Sequence, residues 1–389
     1  MTRLLTGLVR SSRSVLYLST SPSESRSLRE RASALDWLPQ VTIHHLPNIS
    51  RPAQFWLRPY AYGQLVKDWC ALTPVMQAAE AWIWRDALRP LQQVGLAKTI
   101  WQALRPWINC RVFITRTDYH PLSAVILADQ EATDRLTVCF QHSIVTCPAS
   151  FIPLSAKRFV AFGATSRTLL SALDAQFAAT TRQSRVCQDI MVAGSLVDTI
   201  LPRTPRTAAG PILIIDSGDG FAPRFFGVGE QYAALAAAVC TLAQQASGNH
   251  RVVVRTHPRG GAGRWRSLVK TLPGNVEIST GRPLADDLAA ASLVVGLFST
   301  VLPVAAASGV PIVLLWKPGW FFTPDLAPFV PNHFVTPEAL PGRIRELLTD
   351  GMRYDQAQQS ALAAAAQYFA GLRRCEFEPE LIETLLAPV

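Results

Sequence analysis

Charge is scarce in this chain: only 17% of its 389 residues are Asp, Glu, Lys or Arg. The basic residues stand as singles and pairs (Arg158, Arg167, Arg255, Arg259, Arg264, Arg266, Arg373, Arg374), with no run long enough to form an arm that grips a nucleic-acid backbone. Aromatic-basic interleaving is missing too, so a nucleic-acid partner is not expected. Nor is there a Walker loop, a Gly-x-Gly-x-x-Gly string or an Asp-x-Asp pair. The seven cysteines (Cys70, Cys110, Cys139, Cys147, Cys187, Cys240, Cys375) form no CxxC pair and have no histidine at metal-ligand spacing. They read as reduced core residues of a cytoplasmic protein. Near the N-terminus, the apolar stretch between Arg3 and Arg10 is shorter than the roughly 7–15 residues a secretory signal needs.

What the chain does have is apolar surface to bury, with 49% hydrophobic residues, 17 Phe and 10 Trp. That excludes a disordered or fibrous chain, and the length suits two domains of ordinary size. The formal charge of +9 favours anionic partners: phosphorylated substrates or an anionic membrane face. Leu288 to Trp316 contains no charged residue until Lys317 and is long enough to cross a bilayer, which takes about 20 apolar residues as helix. Gly296, Pro303, Gly309 and Pro311 divide it, however, into a strand, a short helix and a second strand of a buried parallel sheet.

In the first half, β-branched runs at Ser14 to Leu18, Val41 to His45, Val112 to Thr115, Leu136 to Phe140, Phe159 to Phe162 and Ile190 to Ala193 alternate with helical stretches. These are Tyr62 to Ala87, Leu88 to Trp107, Pro121 to Asp129 and Ser166 to Phe177. His44 and His45 fall inside an apolar run and read as core or rim. Leu201 to Gly210, with two prolines and no periodicity, is the linker candidate. The alternation then restarts with strands at Ile212 to Ile215, Arg251 to Arg255 and Val276 to Ser279, separated by helices at Glu230 to Gln245 and Arg264 to Leu272. A helix at Ala285 to Ala291 precedes the uncharged segment, and an alanine-rich helix from Tyr354 to Leu372 precedes a last one near Pro379 to Leu386. The expected organisation is an acceptor-binding α/β domain over 1–200, a linker over 201–210, a nucleotide-binding Rossmann-like domain over 211–353 and a helical tail over 354–389.

Ligands of such sheets sit beyond the carboxyl ends of the strands. Four loops there carry candidate chemistry. Arg255-Thr256-His257-Pro258 places an imidazole N–H and a guanidinium where a phosphate could lie, although Pro258 could also simply end the strand. Ser299 and Thr300 supply hydroxyls at a helix start, as an ordinary cap or as phosphate ligands. Asp216, Ser217, Gly218, Asp219 and Gly220 make either a plain tight turn or a loop whose backbone approaches a donor and whose acids accept from sugar hydroxyls. In the first half, Gln141-His142-Ser143 offers an acceptor contact at Gln141 and a general base at His142, with Asp118 a second candidate base; a polar strand end is the alternative.

Taken in order, these loops resemble those of GT-B glycosyltransferases from bacterial surface-polysaccharide pathways. The likeness is carried by VVVRTHP, PGNVEIS and LADDLAAASLVVGLFSTVLPVAAASGVPIVLL. It resembles the nucleotide half of bacterial sialyltransferases and polysialyltransferases, whose His-Pro and Ser-Ser/Thr motifs hold CMP; His257-Pro258 and Ser299-Thr300 stand at those motifs. The late strand-helix-strand is also similar to that of CDP-glycerol glycerophosphotransferases and capsule Kdo transferases. Gln141-His142-Ser143 looks like the histidine-glycine element of the glycerophosphotransferases with Ser for Gly, and Val192 to Ser195 with Asp198 resembles the end of their first domain. The sialyltransferase base sits in an acidic-acidic-glycine motif of the first domain, whereas the similar string here, Asp219-Gly220, lies in the second.

The resemblance implies two Rossmann-like domains facing a cleft, with C-terminal helices packing back on the first. It also implies a metal-independent transfer, without cofactor, from a nucleotide sugar (CMP-sugar favoured) to a saccharide or lipid-linked acceptor. A cytoplasmic protein, docked on the inner membrane face by its positive charge, would meet such acceptors. The alternatives are a polyol-phosphate transferase, a nucleotide-sugar epimerase, and an inactive protein of the same fold that binds glycan or scaffolds an assembly.

Overall fold

A computed structural model of the chain describes residues 15–19, 41–45, 93–102, most of 110–195, 209–217, 228–245, 250–257 and most of 262–369. Two six-stranded parallel sheets organise them. The first contains β1 (Val15–Ser19), β2 (Val41–His45), β3 (Val112–Thr115), β4 (Leu136–Phe140), β5 (Arg158–Ala161) and β6 (Asp189–Val192), in the order β2-β1-β3-β4-β5-β6. A helix over 93–102 precedes β3, α1 (Pro121–Glu131) joins β3 to β4, and α2 (Ala164–Thr181) joins β5 to β6.

The second sheet is built from β7 (Ile212–Ile215), β8 (Val252–Arg255), β9 (Val276–Ser279), β10 (Leu293–Gly296), β11 (Ile312–Leu315) and the two-residue β12 (Phe334–Val335), in the order β12-β11-β10-β7-β8-β9. Its crossovers are α3 (Val228–Gln245), α4 (Ala262–Val269), α5 (Leu284–Ala290) and α6 (Val301–Ala307), followed by a 3-10 helix over Pro324–Phe329. Two further helices, α7 (Leu340–Thr349) and α8 (Gly351–Tyr368), follow among the described residues. Residues of β7, β10 and β11 are buried on both faces, which is why their sequence is uniformly apolar rather than alternating. The uncharged segment accordingly folds as β10, α6 and β11, and among the described residues no helix is long and apolar enough to cross a membrane.

Strand positions agree with the sequence reading to within a residue or two, and helices to within a few. The expected helix at Leu88 to Trp107 is described over 93–102, while the Tyr62 to Ala87 and Pro379 to Leu386 helices and most of the linker candidate lie outside the described residues. Between β11 and α8, the sequence reading placed no element; the 3-10 helix, β12 and α7 occupy that stretch. Cys110, Cys139 and Cys187 are buried free thiols, and Cys240 is half-buried. Burial pushes the Cys187 thiol up to about 12 and the Cys139 thiol well above its usual value, so both stay protonated and unreactive.

Helix α8 ties the two halves together. Along its length α8 packs on α6 and α7, with Tyr354 Oη donating to Ser292 O (2.7 Å) and Gln358 Nε2 to Gly309 O (2.7 Å). At its end it reaches the first half, where Phe162 contacts Tyr368 and Phe369 at ring distances of 5.9 and 5.5 Å. Phe162 and Ile144 thereby belong to the core of the second sheet rather than to that of the first.

Candidate functional site

Sheet topology decides where a ligand can lie. From β7 the chain runs outward through β8 and β9, then crosses to β10 on the other side, opening a crevice between the carboxyl ends of β7 and β10. The loops bounding that crevice begin at Asp216 and at Leu297. Ser217 Oγ donates to Phe298 O and so fastens one loop to the other. Facing them is the segment after β4, from Gln141 to Val145. The Ile144 N–H donates to Thr300 Oγ1 across 3.2 Å, so the loop carrying His142 and the loop carrying Ser299 and Thr300 meet directly.

On the nucleotide side, the candidate residues divide by what their side chains touch. Asp216 is 2% exposed and accepts from Trp265 Nε1 at 2.8 Å, with the Arg264 guanidinium 3.7 Å from its other oxygen. It anchors the start of α4 rather than a sugar. Arg255 Nη1 pairs with the buried Asp287 carboxylate and donates to Arg282 O (3.1 Å), a bond set that joins the end of β8 to α5; Ser279 Oγ donates to the same Asp287 oxygen. Ser299 Oγ accepts from Val301 N (3.3 Å), and Thr300 is engaged at the junction. His257, half-buried two residues beyond β8, stands at the same sheet edge. Gly218, Asp219, Gly220 and Pro258 lie outside the described residues.

Arg264 is a residue the sequence reading left among the scattered cations. Its guanidinium lies 4.8 Å from the Tyr232 ring centroid and 6.0 Å from that of Trp265, with 44% of the side chain exposed. Stacked on an aromatic and backed by a buried carboxylate, it is a pre-oriented cation at the rim of the β7 end.

On the acceptor side, Gln141 is 1% exposed and its amide is consumed internally. Nε2 donates to Ser143 O (2.9 Å) and Ser166 Oγ (3.2 Å), while Oε1 accepts from Phe162 N (2.8 Å). This side chain shapes the loop; it does not project to an acceptor. His142 is half-buried, with its ring stacked on Phe151 at 4.6 Å and 12°, and Arg116 Nη2 donates to its carbonyl at 3.0 Å. Asp118 is 4% exposed at the end of β3, close enough to Cys139 for its charge to help raise that thiol.

A second residue escaped the sequence reading entirely. Asp325, on the 3-10 helix and 0% exposed, accepts from Val145 N (2.9 Å) and Tyr368 Oη (3.1 Å) through Oδ2 and from Ser166 Oγ through Oδ1. Thr323 Oγ1, two residues earlier, donates to Val145 O. Burial raises the Asp325 carboxyl above its usual value against the opposing pull of these bonds. An aspartate between two prolines reads as a turn, and nothing local marks it as a junction residue. Among the described residues no three His, Cys, Asp or Glu side chains converge as a metal site.

No protein-family model matches the sequence, and no curated protein matches it. Solved structures do. A putative UDP-N-acetylglucosamine 2-epimerase from Listeria monocytogenes aligns over 92% of this chain and 94% of its own, with 12% identity and a TM-score of 0.57. The UDP-GlcNAc 2-epimerase from Neisseria meningitidis, bound to UDP-GlcNAc, aligns over 96% and 99% with 11% identity and a TM-score of 0.56. A glycosyltransferase from Rickettsia africae aligns over 97% and 100% with 12% identity and a TM-score of 0.53. At these identities the likeness concerns the fold, which is GT-B: two Rossmann-like domains across a cleft, with the C-terminal helix reaching back to the first.

Proposed function

We propose that this chain is a glycosyltransferase that moves a sugar, or a related polyol phosphate, from a nucleotide donor to a hydroxyl of a saccharide or lipid-linked saccharide. The observation that carries this reading is the Ile144 N–Thr300 Oγ1 contact, which sets the histidine loop of one domain against the hydroxyl loop at the switch point of the other. His142 takes the proton of the acceptor hydroxyl as its oxygen attacks the donor sugar carbon, or, for a polyol-phosphate donor, the phosphorus that carries the polyol. The bond from that carbon, or from that phosphorus, to the departing phosphate oxygen breaks, and the nucleotide leaves with the electron pair. His257, the Ser299 and Thr300 loop and the Arg264 guanidinium meet the charge that develops on the phosphate, so no metal is required. Resemblance of His257-Pro258 and Ser299-Thr300 to the CMP-holding motifs favours a cytidine nucleotide. The excess of basic residues suits an anionic membrane surface, where lipid-linked acceptors of surface polysaccharides reside.

Likeness in fold to UDP-GlcNAc 2-epimerases supports a second reading, nucleotide-sugar epimerisation. That chemistry calls for acids in the cleft. Among the described residues three acids near the cleft are engaged elsewhere, Asp216 by Trp265, Asp287 by Arg255 and Asp325 by Val145, which supports transfer.

A thermal-shift panel of CMP, CDP, UDP, GDP, dTDP and their sugar conjugates, with and without Mg²⁺, tests the proposal. A rise in Tm with one cytidine nucleotide, independent of Mg²⁺ and lost in His257→Ala, is the expected result; saturation at a hundredfold over Kd adds about 2.7 kcal/mol. No shift with any nucleotide from a folded sample rejects the enzyme and leaves a glycan-binding or scaffolding protein. Conversion of a nucleotide sugar to its epimer without acceptor selects the second reading.

A further inference from the structure

We infer that Asp325, carried by the second domain, is a positioning residue for His142 of the first: it fixes the 141–145 segment and so sets where the imidazole stands against the Ser299 and Thr300 loop. The inference rests on His142 serving as the acceptor-side base.

Most polar backbone groups of that segment are held. From its own domain, Gln141 N donates to Val160 O (2.8 Å), Arg116 holds His142 O and the Gln141 amide holds Ser143 O. From the other domain, Thr300 accepts from Ile144 N, Asp325 accepts from Val145 N, and Thr323 donates to Val145 O. Two successive peptide N–H groups are thus gripped by oxygens of the opposite domain, three residues or fewer from the imidazole. Ser166 links the two sets, since its hydroxyl receives Gln141 Nε2 and donates to Asp325.

A junction that needed only cohesion would be apolar here. A fully buried carboxylate is costly to desolvate, and among the described residues no lysine or arginine compensates Asp325. What the carboxylate supplies, and a leucine cannot, is a fixed direction and distance for three partners on the 141–145 segment, α2 and α8.

Two variants of the full-length protein separate positioning from packing. Asp325→Asn keeps an oxygen for Val145 N–H and Tyr368 and turns its amide N–H toward Ser166, whose hydroxyl accepts as readily as it donates. Asp325→Ala leaves the Val145 N–H without its acceptor. Amide exchange at Ile144 and Val145, and carbethoxylation of His142 by diethyl pyrocarbonate read by mass spectrometry, are measured without nucleotide. In the Ala variant both rise about tenfold while exchange in β8 and β9 is unchanged; in the Asn variant both stay within about twofold of wild type. Should Asp325→Ala not fold, Tyr368→Phe removes one bond to the carboxylate and gives a smaller rise at the same amides. Unchanged exchange and modification in the Ala variant, or in Tyr368→Phe where that is the variant measured, overturn the inference. Where a donor is turned over, kcat falls at least about tenfold in the Ala variant with donor KM within about twofold, and the Asn variant recovers most of it; an effect confined to KM overturns it equally. A wild type indifferent to every nucleotide rejects the transferase reading while the exchange result still reports on the Asp325 contact itself.

Discussion

Gly163 meets the carbonyl of Tyr368 so closely that a Cβ on residue 163 would stand 2.2 Å from that oxygen and 2.7 Å from Gln367 O. Its backbone is extended at φ −161°, a conformation any residue adopts, so space alone dictates glycine here. The place is the seam where α8 reaches the first domain.

Gly163→Ala is therefore expected to push α8 off the seam, costing about 1–3 kcal/mol as an overpacked contact does. Chemical denaturation measures it, and loss of the near-ultraviolet signal of Phe162, Tyr368 and Phe369 should accompany it. Wild-type stability in this variant would show that α8 yields freely.

The Asp216 and Trp265 pair predicts a different effect. Trp265→Phe keeps the ring in the core but strips a buried carboxylate of its indole donor, at a cost of about 1–3 kcal/mol. Because Arg264 stacks on Tyr232 beside the same carboxylate, nucleotide affinity should fall as well. Arg264→Met should lower affinity at a smaller stability cost than Trp265→Phe, since that side chain is 44% exposed and stands 3.7 Å from the carboxylate. Parallel denaturation and nucleotide titrations of the two variants check the split.

Arg255 pairs with Asp287, which is 4% exposed. Arg255→Met leaves that carboxylate uncompensated and should lose about 3 kcal/mol; the double variant with Asp287→Leu should regain most of it. Nucleotide affinity returning with stability in the double variant marks the arginine as a support of the loop. Affinity still lost after stability returns would mark it as a phosphate contact.

Asp325 and His333 predict opposite pH slopes. Burial raises Asp325, so its contribution is fully present below the ordinary carboxyl pKa and declines as pH rises through the raised value. Burial lowers His333, which sits between Ile312 O and Ser360 Oγ; its contribution is complete above the usual imidazole value of about 6.5 and is lost as pH falls below it. Denaturation against pH should show Asp325→Asn gaining on wild type as pH rises, and His333→Gln flattening the acid-side loss. Parallel curves for all three proteins would contradict both assignments.

The strands were legible because a parallel sheet buried on both faces writes itself as short β-branched runs, as at Val252 to Val254 and Ile312 to Leu315. The loops that bound the cleft were legible for the same reason, as the places where those runs stop. Which way a loop side chain turns was not. Gln141, Asp216 and Arg255 have the residue types of a binding site, and each closes a bond to a neighbouring element far away in sequence. Asp325 shows the converse: its partners Val145 and Ser166 lie in the other half of the chain, so no local pattern could announce it.

The meeting of Gly163 with Tyr368 also orders events during synthesis. Phe162 and Gly163 leave the ribosome roughly two hundred residues before the tyrosine that covers them. Through that interval the first domain carries an apolar face intended for a helix not yet made, and Ser166 waits for a carboxylate likewise untranslated. Until then the early half of the chain lacks the ring contact and the carboxylate that cover this seam.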